Sequence, residues 1–268
     1  MVESSNSPIR VTVWGENIHE RRDASVQRIY PDGMHTTIAD GIAENLGAAA
    51  TIRVATLDQP EHGLSAAVLE ETDVLTWWGH IGHHQVSDEV VERVKSRVLQ
   101  GMGLVVLHSA HYSKIFRSLM GTSCGLRWRS IGERELVWTV NPAHPIAESV
   151  PAVFAIDTQE MYGEYFDIPQ PDELVFISSF AGGEVFRSGC CFFRGAGRIF
   201  YFSPGDQEYP VYHQSMVRKV VSNGIRWVAP KGPLSPPYRS ANMPSGWIEE
   251  FLDEQGGKGE GEGGGVGR

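Results

Sequence analysis

Two short apolar runs that each break off into histidines constrain this chain most. Val74-Leu75-Thr76 leads into Trp77-Trp78-Gly79-His80-Ile81-Gly82-His83-His84, and Gly103-Leu104-Val105-Val106-Leu107 leads into His108-Ser109-Ala110-His111. In an open parallel sheet the loops after the strands face one common crevice, where ligands bind. Both imidazole clusters are therefore expected at one site. Imidazole titrates near neutrality and binds transition metals. An enzyme is expected rather than a passive scaffold.

The flanking segments support such a sheet. Ile9–Trp14 reads as a first strand, followed by the polar Gly15-Glu16-Asn17. Met34, Ile38, Ile42 and Leu46 recur every four residues, one face of a helix, which Gly47 ends. Thr51–Thr56 reads as a second strand and Leu64–Glu71 as a short helix. Ser87 is placed to cap the next helix, with Asp88 and Glu89 at its positive end. Its buried face is expected to be Val90, Val91, Val94, Val98 and Leu99, and Gly101 ends it. The β-α-β-α-β-α-β order implies a parallel sheet with helices on both faces.

From Arg134 the pattern changes. Short strands are expected at Leu136–Val140, Leu174–Ser178, Gly189–Phe193 and Arg198–Phe202. Arg194-Gly195-Ala196-Gly197 suggests a hairpin between the last two. Antiparallel strands thus extend the sheet. A final helix is expected from about Tyr212 to Val228.

The predicted organisation is a flexible N-terminus over 1–8, an α/β domain over 9–230, an extension over 231–255 and a disordered Gly-rich tail over 256–268. The tail has too little apolar area to offset its ordering entropy.

A formal charge of −10 argues against nucleic acid, which selects basic surfaces. No apolar stretch is long enough to span a bilayer. The polar Met1–Pro8 lacks a signal-peptide core. Cys124, Cys190 and Cys191 form no metal or disulfide spacing. A cytoplasmic protein is expected, with no membrane or nucleic-acid partner and with a homo-oligomer open to it.

His80 and His108 lie closest to their strand ends and rank first as catalytic candidates, with His111 beside them. A metal set would draw on His80, His84, His108 and His213, with His83 and His111 nearby. Imidazole plus carboxylate suits Zn, Mn, Fe or Ni, so a divalent metal (Zn, Mn or Fe) is the expected cofactor, and no nucleotide cofactor is expected. Glu160, in the aromatic and polar stretch Gln159–Tyr165, is the candidate general base or metal ligand. Glu16 and Asn17 follow the first strand onto the same crevice, and Asp206 follows Ser203-Pro204-Gly205 at the last, so all three are expected to bind substrate. Ser109 lacks a GxSxG context. It reads better as a serine satisfying backbone groups at the helix start.

The order of Val13-Trp14-Gly15-Glu16-Asn17, Trp77-Trp78-Gly79-His80, His108-Ser109-Ala110-His111, Gly121-Thr122-Ser123-Cys124, His144-Pro145-Ile146, Gly183–Gly189 and Ser203-Pro204-Gly205-Asp206 resembles the ThuA (trehalose-utilisation protein) family over residues 9–230. The resemblance implies a class I glutamine-amidotransferase-like fold. This is a flavodoxin-like α/β three-layer sandwich whose mostly parallel sheet carries added antiparallel strands. It also implies trehalose or related disaccharide utilisation beside a dehydrogenase that makes 3-keto sugars. In amidotransferases of this fold a cysteine occupies the turn held here by Leu107–His111, so glutamine hydrolysis is rejected.

Against that background, Trp77, Trp78, Trp128 and Tyr162 are candidates to stack on a sugar, and Arg187 to bind its hydroxyls. Trp77 and Trp78 point to opposite faces of a strand, so at most one lines the site. The expected activity is isomerisation or cleavage of a 3-keto-glycoside by proton abstraction beside the ketone, with either a divalent metal or, in a metal-free site, an imidazole donor stabilising the oxygen. The alternatives are a non-catalytic sugar-binding or regulatory protein and a hydrolase using Ser109.

Overall fold

Every residue of two strands, Val74–Trp78 and Gly103–Leu107, is buried. A strand covered on both faces needs that composition. Alternation sends Val105 and Leu107 into one core, and Leu104 and Val106 into the other. The computed structural model describes residues 7–236 and 247–256. In chain order its elements are β1 (Ile9–Gly15), α1 (His19–Arg22), α2 (Ala24–Ile29), α3 (Met34–Leu46), β2 (Ala50–Thr56), α4 (Ala66–Glu70), β3 (Val74–Trp78), α5 (Asp88–Gln100), β4 (Gly103–Leu107), α6 (Lys114–Met120), β5 (Arg127–Thr139), β6 (Val153–Gly163), β7 (Glu173–Phe180), β8 (Val185–Arg194), β9 (Gly197–Phe202), α7 (Ser215–Val228) and α8 (Trp247–Gly256).

The nine strands form one sheet in the order β2-β1-β3-β4-β9-β8-β7-β5-β6. Strands β2, β1, β3, β4 and β9 are parallel, while the pairs β9/β8, β8/β7, β7/β5 and β5/β6 are antiparallel. The α/β sandwich thus matches its expected class. The antiparallel pairs equal the parallel ones in number, so they make up half of the sheet. Helices α3 and α7 supply apolar residues to one core, and α5 and α6 to the other.

Parallel register aligns the strand ends. Gly15 pairs with Trp78, Trp78 with Leu107, and Leu107 with Phe202. The residues that follow, Glu16, Gly79, His108 and Ser203, therefore leave the sheet along one edge.

Sequence pattern located most elements, with instructive exceptions. Ser87 does cap α5, its Oγ accepting from the Val90 N–H, and Gly101 ends the helix. Leu99 is 41% exposed, so the apolar face of α5 stops at Val98. The last helix starts at Ser215, because Val211–His213 forms a separate 3-10 turn and Gln214 is extended. The hairpin turn is present, with Arg194 paired to Gly197 and Gly195 at φ +60°. Strand β5 begins as early as Arg127, and β6 was not foreseen. The buried inner half of β6 contains the polar Gln159 and Glu160, so it lacks the apolar alternation that marks a strand.

The long β5–β6 ribbon positions the site. Only Glu135–Thr139 of β5 pairs with β7, while Arg127–Glu133 pairs with β6 alone. Register shifts separate Arg129 from Glu133 and Glu133 from Glu135. Such bulges bend a ribbon and increase its twist. The arm beyond them brings Tyr162 to His108 on β4's edge, although β6 is the outermost strand.

The chain divides into two units, with the boundary between Pro236 and Pro237. Within the expected 231–255 extension the structure describes helix α8, whose first turn is acidic with Glu249 and Glu250. Positions 1–6 of the predicted flexible N-terminus and 257–268 of the predicted tail lie outside the described residues. Among the described residues no helix is long and apolar enough to cross a membrane.

Leu104 is fully buried in the central strand β4. Leu104→Ala is expected to destabilise the protein by about 2–5 kcal/mol, measured by urea unfolding.

Candidate functional site

After β1, Glu16 turns into the space below the β3 loop. Its carboxylate accepts the backbone N–H groups of His80 at 2.7 Å, Ile81 at 3.0 Å and Gly82 at 2.8 Å. Three successive amides are thus satisfied by one buried anion, which fixes the turn that carries His80. At 2% exposure Glu16 is a scaffold for that turn. The expectation that it binds substrate is corrected.

His108 follows β4 directly and adopts φ +49°. A non-glycine residue in the left-handed region costs about 1–3 kcal/mol and persists only where its surroundings hold it. Here Nδ1 lies 2.7 Å from the Ser203 carbonyl oxygen. A carbonyl only accepts, so Nδ1 carries the proton. The other nitrogen, Nε2, then faces Glu160 Oε2 at 3.2 Å and Asp206 Oδ2 at 3.5 Å. Tyr162 lies parallel to the imidazole, with ring centroids 4.6 Å apart and Oη 3.2 Å from Nε2. Burial works to lower the His108 pKa, but Asp206 and Glu160 outweigh it and push it up to about 10. Burial likewise works to raise the Asp206 carboxyl. Its hydrogen bond and charge interaction with His108 prevail, holding it below the usual carboxylate range.

A buried amide ties the two carboxylate-bearing segments together. Gln159 Oε1 accepts the Glu160 N–H at 3.1 Å and the Asp206 N–H at 3.3 Å. Behind it the fully buried Glu135 is bonded by the Ser178 hydroxyl, and burial pushes its carboxyl up to about 7. Trp78 contributes from the core, its Nε1–H donating to the Gly205 carbonyl at 2.9 Å. Gly205 has φ +146°, and a Cβ there would meet Tyr212 Oη at 2.0 Å. Only glycine fits this bend before Asp206.

A cavity of about 470 Å³ opens beside this cluster, lined among others by His80, His83, His111, Glu160, Tyr162 and Asp206. Its neutral histidines are fixed from behind. His111 Nδ1 donates to the Cys124 carbonyl at 2.7 Å, leaving the Nε2 lone pair free. Desolvation lowers its pKa to about 3, with neighbouring histidines adding to the effect. Burial also lowers His83, to about 4, and lowers His80, with His108 and His19 assisting. His80 Nδ1 lies 2.9 Å from His19 Nε2. Trp128, 67% exposed, and Tyr112 flank the cavity with apolar ring faces.

Other expected site residues lie elsewhere. Trp78 is buried in the core and does not line the cavity; neither does Trp77, which stacks on Trp14 at 4.1 Å. Asn17 borders a separate cavity of about 410 Å³ with Arg21 and Arg22. The Arg187 guanidinium donates two hydrogen bonds to Glu164 and a third to the Phe166 carbonyl, and Arg187 does not line the cavity beside His108. His84 is exposed on its own turn. His213 bonds the Ile29 carbonyl at 2.9 Å and stacks on Tyr30. Both therefore fall outside the metal set expected from sequence. Ser109 Oγ donates to the Gly79 carbonyl at 2.9 Å, an acceptor that cannot activate it as a nucleophile.

Sequence reasoning missed Gln159, Glu135 and His19. Gln159 was visible only as a neighbour of Glu160, and the roles of the other two depend on tertiary contacts.

A second histidine cluster has a different character. His144 Nδ1 accepts the Ile146 N–H at 3.1 Å, so the neutral ring carries its proton on Nε2 and donates it to Glu173 at 2.8 Å. Cys191 lies beside them. With both ring nitrogens engaged, His144 serves as a cap for the Pro145–Ala147 turn.

The sequence model of the ThuA family, described as trehalose utilisation, matches residues 10–228. Among curated proteins none matches the sequence. A ThuA-like protein from Bacteroides uniformis ATCC 8492 superposes with a TM-score of 0.61 at 16% identity, over 84% of this chain and 93% of that one. Another from Parabacteroides merdae ATCC 43184 gives 0.61 at 14% identity, over 87% and 94%. PurLQS from Thermotoga maritima gives 0.51 at 11% identity, over 83% of this chain and 99% of that one. At these identities the structural likeness establishes the fold.

Two expectations follow from the geometry. Glu16→Ala leaves three turn amides without their acceptor and is expected to cost about 1–3 kcal/mol for each that stays dry. Thermal unfolding and the NMR shifts of the His80 ring check this. His111 is held neutral when folded, while its unfolded pKa is near 6.5. Its contribution to stability is therefore complete above pH 6.5 and declines as pH falls toward 3. His111→Gln is expected to reduce the acid slope of unfolding free energy by up to about 1.4 kcal/mol per pH unit in that window, read from urea titrations.

Proposed function

Because the chain belongs to the ThuA, trehalose-utilisation, family, we propose that it processes a sugar of that utilisation route, isomerising or cleaving a 3-keto-glycoside. The observation that carries this reading is the meeting of His108, Glu160, Asp206 and Tyr162 with neutral His80 and His111 around one cavity. A ketone acidifies the neighbouring C–H, so the site needs a base at that hydrogen and positive charge at the oxygen.

His80 is the base. Its Nδ1 lies 2.9 Å from His19 Nε2; with the shared proton on His80 Nδ1, the other ring nitrogen keeps a lone pair on a side chain that borders the cavity. The imidazole takes the proton from the carbon next to the ketone, and the C–H electron pair moves onto the ketone oxygen as the enediolate forms. The cationic centre at His108 stabilises that oxygen. Its charge comes from the His108 proton or from a divalent cation, the Zn, Mn or Fe expected from sequence. For isomerisation, His80 returns the proton to the former carbonyl carbon while the neighbouring hydroxyl becomes the new carbonyl by losing its proton to the first oxygen. For cleavage, the enediolate electrons reform the ketone and expel the anomeric oxygen, which receives the His80 proton. His111 Nε2 accepts from a sugar hydroxyl, and Trp128 offers a face for an apolar side of the ring.

Two alternatives fit less well. A binding-only protein calls for an aromatic pocket with the histidines turned away, whereas His80, His83 and His111 line this one. A Ser109 hydrolase lacks a base on the hydroxyl. The sugar-processing reading also carries a cytoplasmic location, consistent with three free, buried cysteines.

Incubation with 3-ketotrehalose in D2O tests the proposal. Deuterium is expected at the carbon beside the ketone, together with an isomerised or cleaved product. His80→Ala should slow this by about 10²–10⁴-fold. Absence of exchange and product with Zn²⁺, Mn²⁺ or Fe²⁺ supplied would overturn it.

A further inference from the structure

Charge, tautomer and spacing together decide what balances the buried carboxylates beside His108. Glu160 and Asp206 point at one nitrogen, and among the described residues no Lys or Arg reaches either of them at ion-pair distance. Asp206 is 2% and Glu160 9% exposed. Uncompensated charge at that depth is costly. A divalent cation held between the two carboxylates offsets it.

The tautomer agrees with this. The Ser203 carbonyl holds the proton on Nδ1, so the neutral ring turns the Nε2 lone pair toward both carboxylates. A hydrogen bond from the far nitrogen to a carbonyl is the usual support of a metal-binding histidine. The spacing agrees as well. Donors about 2.0–2.2 Å from a shared ion stand about 3.0–3.5 Å apart at octahedral to tetrahedral angles. Nε2 lies 3.2 Å from Glu160 Oε2 and 3.5 Å from Asp206 Oδ2, and all three donor atoms fall within 4.8 Å of one another. Gln159 fixes the two carboxylate segments through their backbone amides.

We infer that a divalent transition-metal ion binds at His108 Nε2, Glu160 and Asp206, with its open positions toward the cavity; its role as oxygen-stabilising cation rests on the keto-sugar reading, its ligand set does not. One imidazole and two carboxylates suit Zn²⁺, Mn²⁺ or Fe²⁺. Three protein donors with an open side are the arrangement of a catalytic centre. His144, Glu173 and Cys191 provide the internal contrast, because the tautomer of His144 leaves no lone pair on Nε2 for an ion.

Full-length protein freed of metal by chelation is titrated with Zn²⁺ and Mn²⁺ by calorimetry, and with Co²⁺ by visible absorption. One ion per chain is expected, with a rise in Tm on Zn²⁺ addition. Glu160→Gln and Asp206→Asn should each weaken binding at least tenfold and abolish the Zn²⁺-induced rise, with circular dichroism unchanged. His144→Gln should leave the stoichiometry and Co²⁺ spectrum as they were. The inference is overturned if the wild-type protein binds no stoichiometric ion, or if both carboxylate variants bind as tightly as wild type. Deuterium exchange by metal-free protein would remove the ion's oxygen-stabilising role and keep the keto-sugar chemistry. Stoichiometric binding lost in the carboxylate variants, without any exchange on ketosugars, would keep the metal centre and remove that chemistry.

Discussion

The hydrogen bond from His108 Nδ1 to the Ser203 carbonyl is the interaction on which the site depends. It joins the residues that immediately follow β4 and β9, and it forms because Leu107 and Phe202 are paired in register. Its donor is held in a left-handed conformation that an isolated chain would avoid. The bond fixes the tautomer, the tautomer aims Nε2, and Nε2 determines where the carboxylates find their counter-charge. Core packing beneath it supplies the rigidity: the fully buried β3 and β4 leave little freedom for the turns that grow from them.

The site lies on a seam. Its histidines come from the parallel half of the sheet, where the loops that follow the strands emerge on one edge. Glu160 and Tyr162 come from the outermost antiparallel strand and arrive only because the β5–β6 arm runs past β7 and bends at its bulges. Asp206 comes from the loop after β9, pinned by Trp78 to Gly205 from one side and by Gln159 from the other. The conspicuous tryptophan pair thus works from the core, holding other residues in place. With the pair buried, Trp128 and Tyr112 are the exposed aromatic residues at the rim of the cavity.

The parallel half was legible because its signals are local. Continuous apolar runs mark β3 and β4, a four-residue repeat marks α3, and Ser87 with Gly101 brackets α5. Strand β6 was not legible, since positions that normally carry apolar residues hold polar groups that serve the site. Glu16 illustrates the same limit in another way. Its place after β1 was clear, but nothing local reveals that its carboxylate closes the β3 turn, an arrangement spanning more than sixty residues of chain.

The amino-acid sequence by itself determined the β-α-β-α-β-α-β succession of the parallel half, the common edge for residues after the parallel strands, and the candidacy of His80, His108, His111, Glu160, Tyr162 and Asp206. Periodicity and strand-end position are properties of neighbouring residues, so a linear reading captures them. Tertiary structure alone decided that His84, His213, Asn17 and Arg187 stand apart, and that Glu16 and Trp78 serve as supports. It alone decided that His108, Glu160 and Asp206 share one point. Those outcomes depend on register across the sheet, on the bend of a two-stranded arm and on which nitrogen of a ring meets a carbonyl, and each is set by groups distant in the chain.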